Sequence, residues 1–319
     1  MARKRFIVER DTPSGGALRG AVVAMGNFDG VHRGHRAVIA VALERAKALG
    51  RPAAVLTFTP HPRTFFHPGE PLFQLTDEAS KLRLLAATGL DGAIVLTFDA
   101  ALARLTAEQF VARILIERYS VGGAVIGFNF HFGKGRTGSP DFLAEQGRVC
   151  GFSVDVVPPL QWRGRPVSSG PIRAALAAGQ LDEAAALLGF PWFVSGEVIH
   201  GDKRGRELGF PTANLRLDAA CGLRHGVYAV RAAVEGRRYQ AVANFGRRPM
   251  FDNGAVLLEV FLFDFAGDLY GKNIDVAFIA RIRDEEAFAS VDELVRRMQV
   301  DGRIARELLA RAGDVFPPI

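Results

Sequence analysis

The chain has 319 residues, 49% hydrophobic and 23% charged, with a formal net charge of +6. At about 100–200 residues per domain this length points to two domains, and the composition excludes intrinsic disorder. Its two cysteines, Cys150 and Cys221, lie far apart, which excludes a disulfide framework and a cysteine zinc site and suits a reducing cytoplasm. The basic start MARKRFIVER lacks the apolar stretch of a signal peptide, and no apolar run reaches the roughly 18 residues that cross a bilayer, so no membrane partner is expected. The 40 Lys and Arg are scattered rather than gathered into a block, so no nucleic-acid partner is expected either.

In chain order, residues 21–25, 53–58, 93–98, 124–128 and 152–157 read as strands. Most are apolar without alternation, the pattern of a parallel sheet buried on both faces. Between them lie helical segments with legible starts: a capping box at Thr106 and Gln109, and Ser139 as N-cap with Pro140 at the first helical position. Strand–helix alternation of this kind predicts a doubly wound α/β domain, closed by two short helices at 171–178 and 181–188. After Gly189 the pattern changes. Residues 194–200, 227–234, 239–245, 257–265 and 274–281 read as consecutive strands separated by glycine-containing turns, which predicts a small antiparallel β-barrel. A terminal helix starts at Ser290–Glu293 and runs to about Arg311. The predicted domains are therefore 1–189 and 190–319, an α/β chain with a C-terminal barrel.

Two stretches carry chemistry. In AVVAMGNFDGVHRGH a buried strand ends at Met25, a glycine-bearing turn follows, and a helix begins near Gly34. His32 and His35, three apart, project to one side of that helix start, where unpaired N–H groups and the helix dipole favour phosphate. They suit the triphosphate of ATP, donating to charge that grows at the α-phosphorus during in-line attack, while Gly26 and Gly34 let the backbone approach closely. In HGDKRGRELGFPTANL, Gly201, Gly205 and Gly209 alternate with Lys203, Arg204 and Arg206 in a turn suited to covering phosphates. Thr212 and Asn214 then fall on one side of an extended backbone, as neutral oxygen ligands for Mg²⁺ carried by ATP. Taken alone, this stretch also fits an ordinary basic hairpin. Gly133, Gly135 and Gly138 spell GxGxxG with Asp155 downstream, but the glycines follow the strand late and Asp155 lies inside a strand, so a nicotinamide site is not expected.

GNFDGVHRGH, FTPHPR, GFNFHFGKGRTG and VSSGPIR, followed by GRELGFPTANL, VANFGRRPMF, LEVFLFDF and DLYG, resemble the prokaryotic bifunctional FAD synthetases over nearly the whole chain. The resemblance implies an N-terminal FMN adenylyltransferase of the HxGH nucleotidyltransferases and a C-terminal riboflavin kinase barrel. Flavin would be substrate and product, not a prosthetic group, with riboflavin, FMN and ATP as small-molecule partners, and a homo-oligomer is compatible with the sequence. By this resemblance His32 and His35 hold ATP phosphates, Gly26 and Phe28 line the nucleotide pocket, Asn129 sits at the reacting phosphates, and Pro60, His61 and Pro62 lie on the FMN side. Ser168, Ser169 and Arg173 match a late serine–arginine motif, although VSSGPIR alone also fits an N-capped helix start. In the barrel, Gly201, Lys203, Gly205 and Arg206 would cover the ATP phosphates, Thr212 and Asn214 would bind Mg-ATP, and Glu259 would be the general base, although on an alternating strand it could simply face solvent. Three departures stand out: Gly170 in the third place of the serine motif, Met250 in RPMF, and Phe261 where the family has histidine. The last two favour an alternative, a single-activity FMN adenylyltransferase with a degenerate barrel.

Overall fold

The computed structural model describes residues 5–13, 16–200, 212–247 and 256–319. The chain divides into two compact units: Met1–Leu72 with Asp77–Ser168 and Ile319, and Phe73–Thr76 with Ser169–Pro318.

The first unit is built on six parallel strands: β1 (Ile7–Arg10), β2 (Val22–Met25), β3 (Ala53–Thr59), β4 (Gly92–Thr97), β5 (Gly123–Gly127) and β6 (Ser153–Val157). They lie in the order β1-β4-β3-β2-β5-β6. Every residue of β2 is buried, as a strand covered on both faces requires. The helices are α1 (Arg33–Leu49), α2 (Pro62–Phe66), α3 (Glu78–Ala86), α4 (Ala100–Arg104), α5 (Ala107–Gln109) and α6 (Pro140–Cys150). The Thr106–Gln109 capping box makes both of its bonds, and α5 runs on as a π-helix over Phe110–Arg118. Ser139 caps α6 with Pro140 behind it.

Strand β1 went unread in the sequence because only one of its four residues is buried. It pairs with β4 at Ile7 and Gly92, where any Cβ would lie 2.4 Å from the Ile7 carbonyl oxygen. A two-stranded hairpin, β7 (Gln161–Trp162) and β8 (Arg165–Pro166), follows β6.

The second unit opens with α7 (Ser169–Ala178) and α8 (Leu181–Leu188). The sequence reading assigns this pair to the first domain, yet it packs within the second unit. The Arg224 amide donates to the Leu176 carbonyl (3.1 Å), and Gly179 lies so close to Arg281 that a Cβ would stand 2.7 Å from its Cδ. Apolar periodicity marks the buried face of a helix but not the neighbour that covers it.

Then come β9 (Phe193–Glu197), β10 (Ala213–Arg216), β11 (Gly226–Val234), β12 (Arg237–Arg247), β13 (Val256–Leu262) and β14 (Asn273–Arg283), in the order β10-β13-β12-β11-β14-β9 and antiparallel throughout. The ends of that order return to each other through the Ile199–Asn214 bridge, which makes the sheet the expected small barrel. Helix α9 (Val291–Ala312) closes one face with Ala305 and Leu309 against Ala229 and Phe263. Ser290 caps it, accepting from Glu293 N, while the Glu293 carboxylate accepts from Ala289 one residue earlier than a strict capping box would have it. At the other end the buried guanidinium of Arg231 donates to the carbonyls of Leu309 and Gly313, closing off α9.

Candidate active sites

In the first unit the chain leaves β2 through α1 to β3 on one side, and later returns to β5 on the other side of β2. The C-terminal ends of β2 and β5 therefore flank a topological switch point, the place where open α/β sheets leave a ligand crevice. The turn after β2 carries the two histidines, and Asn129 follows β5 and is exposed.

The turn itself is strained. Phe28 and Val31 have left-handed φ of 52° and 40°, as does Gly30 at 79°. For a β-branched residue this is a genuine outlier, and such positions cost about 1–3 kcal/mol each, so the surroundings must over-determine them. Phe28, Asp29 and Val31 are all buried, and the Thr57 hydroxyl donates to the Asn27 carbonyl (3.2 Å).

The turn delivers His32 as the N-cap of α1, its Nδ1 accepting the backbone N–H of His35 at 3.2 Å. That bond leaves the His32 ring proton on Nε2 as a donor. The His35 ring stacks on His32 with centroids 3.6 Å apart and planes 16° from parallel. Burial, then the neighbouring His32 and Lys81, hold the His35 pKa well below the usual histidine range, so that ring is neutral near pH 7. Its Nδ1 is buried with no hydrogen-bond partner among the described residues. A neutral His35 stacked on His32 thus offers imidazole donors to phosphate at a helix N-terminus.

Phe28, expected along the nucleotide pocket, is buried with its ring 5.1 Å from that of His35, so it supports the site from behind. Gly34 answers to internal packing: a Cβ there would lie 3.0 Å from the Val167 carbonyl oxygen and 3.2 Å from the His32 ring. That contact also brings the Val167–Ser168 segment against the start of α1. A Cβ on Gly26 would stand 3.5 Å from the Phe28 ring, an ordinary van der Waals contact.

Pro60 follows a cis peptide at the end of β3, His61 caps α2 through Nδ1, and Pro62 takes its first position. Two aromatics that sequence reasoning missed stand beside these elements: Phe66 on α2 is 58% exposed and Phe128 after β5 is 46% exposed. Each is an apolar face left open at the ligand end of the sheet, and the signal for the first was the doubled Phe65–Phe66 after a proline-started helix. Asp155, the would-be dinucleotide acid, instead forms a two-pronged ion pair with Arg45 of α1 at 2.8 and 2.6 Å.

Ser169 and Arg173 belong to α7 in the second unit, where Arg173 Nε donates to the Phe73 carbonyl at 2.5 Å. Gly170 faces open space at the position of an added Cβ.

In the barrel, register does what sequence spacing could not. Glu259 of β13 stands opposite Asn214 of β10 on one side and opposite Asn244 of β12 on the other. The three side chains therefore share one row on one face of the sheet. Asn214 is 4% exposed, and its Oδ1 is buried with no hydrogen-bond partner among the described residues. An orphaned amide oxygen beside a carboxylate fits a hard cation. Glu259 is half-buried rather than enclosed. Phe261, two residues on, shares its face and packs edge-on to Phe263 beside α9. Gly201, Lys203, Gly205, Arg206 and Met250 lie outside the described residues.

A doubly wound sheet with a histidine pair at its switch point, joined to a small barrel with a Glu–Asn row, defines a nucleotide-using enzyme with two candidate sites. The FAD synthetase family model matches residues 16–171, and the riboflavin kinase model matches 188–309. The bifunctional riboflavin kinase/FMN adenylyltransferase of Pseudomonas fluorescens is 42% identical over 92% of this chain and 94% of its own length. That of Escherichia coli K12 is 40% identical over 90% and 92%, and that of Bacillus subtilis 38% over 88% and 90%. A crystal structure described as a macrolide-efflux protein from Streptococcus pneumoniae matches with TM-score 0.84 and 33% identity, over 94% of this chain and 99% of that one. Among the described residues here, no helix is long and apolar enough to cross a membrane. The chain belongs to the family of bifunctional riboflavin kinase/FMN adenylyltransferases.

Proposed function

We propose that the chain converts riboflavin and ATP to FMN and ADP on its barrel, and FMN and a second ATP to FAD and pyrophosphate on its parallel sheet. The observation that carries the reading is the His32 ring stacked on a neutral His35 at the start of α1, beside the switch point.

In FAD formation a phosphate oxygen of FMN attacks the α-phosphorus of ATP and pyrophosphate leaves. No enzyme nucleophile is required, so the work is positioning and charge stabilisation. His32 Nε2–H and a ring N–H of His35 donate to the triphosphate, and Asn129 and Ser168 are assigned to the reacting phosphates. The serine–arginine motif assigns Ser169 and Arg173 to phosphate oxygens as well. Pro60, His61 and Pro62, with exposed Phe66 and Phe128, form the flavin side, where flat apolar rings suit the isoalloxazine.

In the kinase reaction Glu259 accepts the proton of the ribityl 5′-hydroxyl as its oxygen attacks the γ-phosphorus, and ADP leaves. Thr212 and Asn214 would hold Mg²⁺ together with ATP. Bound there, the cation would neutralise charge on the phosphates. The Gly201–Arg206 stretch is assigned to cover those phosphates. The cytoplasm is the proposed compartment, supported by two cysteines that are both unpaired in the fold.

The test is an assay with riboflavin, Mg²⁺ and labelled ATP that resolves FMN from FAD. The wild-type chain should form both in turn, and the His32→Ala/His35→Ala variant should stop at FMN. A folded chain that makes FAD from FMN but never FMN from riboflavin would promote the single-activity reading, and a double variant still forming FAD at the wild-type rate would end the histidine mechanism.

A further inference from the structure

The strained turn that presents His32 and His35 needs something to hold it, and α3 supplies a charged group with no part in the phosphate chemistry described above. Lys81 is 8% exposed, an unusual burial for a lysine. Its Nζ donates to the Thr57 hydroxyl at 3.4 Å, and the same hydroxyl donates to the Asn27 carbonyl inside the turn. Asp29, also in the turn and 4% exposed, and Glu78, one turn earlier on α3, attract the ammonium. A buried cation is costly unless its surroundings compensate it, and the Thr57 hydroxyl ties this one to the backbone of the turn.

We infer that Lys81 is a positioning residue for adenylyl transfer: its ammonium, bonded to the Thr57 hydroxyl that in turn holds the Asn27 carbonyl, clamps the left-handed Phe28–Val31 turn in the form that stacks His32 on His35. The inference rests on the adenylyl-transfer reading of this site. It also has an electrostatic consequence. His35 stacks on the His32 ring, and after burial and His32 the Lys81 charge on α3 also disfavours the imidazolium form of His35. Burial above all holds the Lys81 pKa below the usual lysine value; Glu78 and then Asp29 favour its charge, and Arg10, itself ion-paired with Glu78, opposes it.

The experiment uses the full chain with Lys81→Met, which keeps the apolar stem and removes the charge. FAD formation from FMN should lose about 10²-fold in kcat, the scale of a catalytic group displaced by about 1 Å, with a much smaller change in KM for ATP. Riboflavin phosphorylation by the same preparation should stay within about two-fold of wild type, since its assigned residues lie on the barrel. The acidic limb of the pH–rate profile for FAD formation should move to higher pH, because removing a neighbouring positive charge raises the His35 pKa. A loss of packing alone, without loss of the charge, would not move that limb. Thr57→Val, which keeps shape and removes the hydroxyl partner, should lower kcat in the same direction by less.

Lys81→Met with FAD-forming kcat within two-fold of wild type and an unshifted acidic limb overturns the proposal. If Lys81→Met is recovered unfolded, Thr57→Val and Asp29→Asn decide instead, and wild-type FAD formation in both overturns it. A wild-type chain that makes no FAD from FMN would defeat the adenylyl-transfer reading itself, an outcome distinct from either of these.

Discussion

Replacing Gly34 by alanine asks whether FAD formation depends on the placement of the histidine rings or merely on their presence. The new methyl would stand 3.0 Å from the Val167 carbonyl oxygen and 3.2 Å from His32 Cε1 and Nδ1, close enough that a neighbour must yield by a few tenths of an ångström. Val167 is buried and its carbonyl belongs to the backbone, so the His32 ring is the softer neighbour. Its capping bond to His35 N is already 3.2 Å, and that displacement takes it beyond the roughly 2.7–3.2 Å of a normal N–H bond. Loss of an N-cap costs about 0.5–2 kcal/mol, while replacing a helical glycine by alanine returns up to about 1 kcal/mol. The two nearly cancel, so the melting temperature should stay within roughly 4 °C of wild type. FAD formation should fall about 10–10²-fold in kcat because the donors no longer meet the phosphate squarely, with riboflavin phosphorylation unchanged as the internal control. A Gly34→Ala chain that melts like wild type and makes FAD at the wild-type rate would refute the reasoning.

Glu259→Gln should lower the turnover of riboflavin phosphorylation about 10²–10⁴-fold with little change in KM for ATP, whereas Asn214→Ala should chiefly raise the Mg²⁺ concentration needed for half-maximal rate. Steady-state kinetics with Mg²⁺ varied at fixed ATP separates the two. His35 has a folded-state pKa below its unfolded value of about 6.5, so the unfolded chain binds the extra proton first. Its contribution to stability is complete above about pH 6.5 and declines as pH falls from there towards the folded pKa; denaturant titrations from pH 7.5 to 5 should show that decline, and His35→Gln should flatten it. Gly170→Thr enters open space at a position without left-handed φ, so it should fold normally. If the restored hydroxyl reaches a phosphate, KM for ATP in FAD formation should drop by about ten-fold, and an unchanged KM would remove that position from the site.

Much of this architecture is legible in the residues because it depends on local rules. The core strands of the first unit announce themselves as unbroken apolar runs, and the capping residues Thr106, Ser139 and Ser290 mark helix starts where the structure has them. The HxGH spacing fixes which residues stand at the start of α1. Strand β1 escaped notice because an edge strand buries little and so leaves no apolar run. Phe128 escaped because it reads as the last residue of a buried strand, and Phe66 because exposure is a property of the fold.

By itself the sequence determined the two kinds of domain, the order of most core elements and the identity of the residues around each chemical motif, since periodicity, capping and turn chemistry act over a few neighbours. Only the tertiary structure decided how those residues meet. It set the His32 ring face to face on His35, with a tautomer dictated by one backbone N–H. It aligned Asn214, Glu259 and Asn244 from three strands into one row, and gave α7 and α8 to the second unit. It also put the ammonium of Lys81, 52 positions after Asp29 in the chain, within the pull of that carboxylate. Sheet order, register and burial arise from contacts between segments distant along the chain, and local sequence pattern carries no record of which segment will be the neighbour.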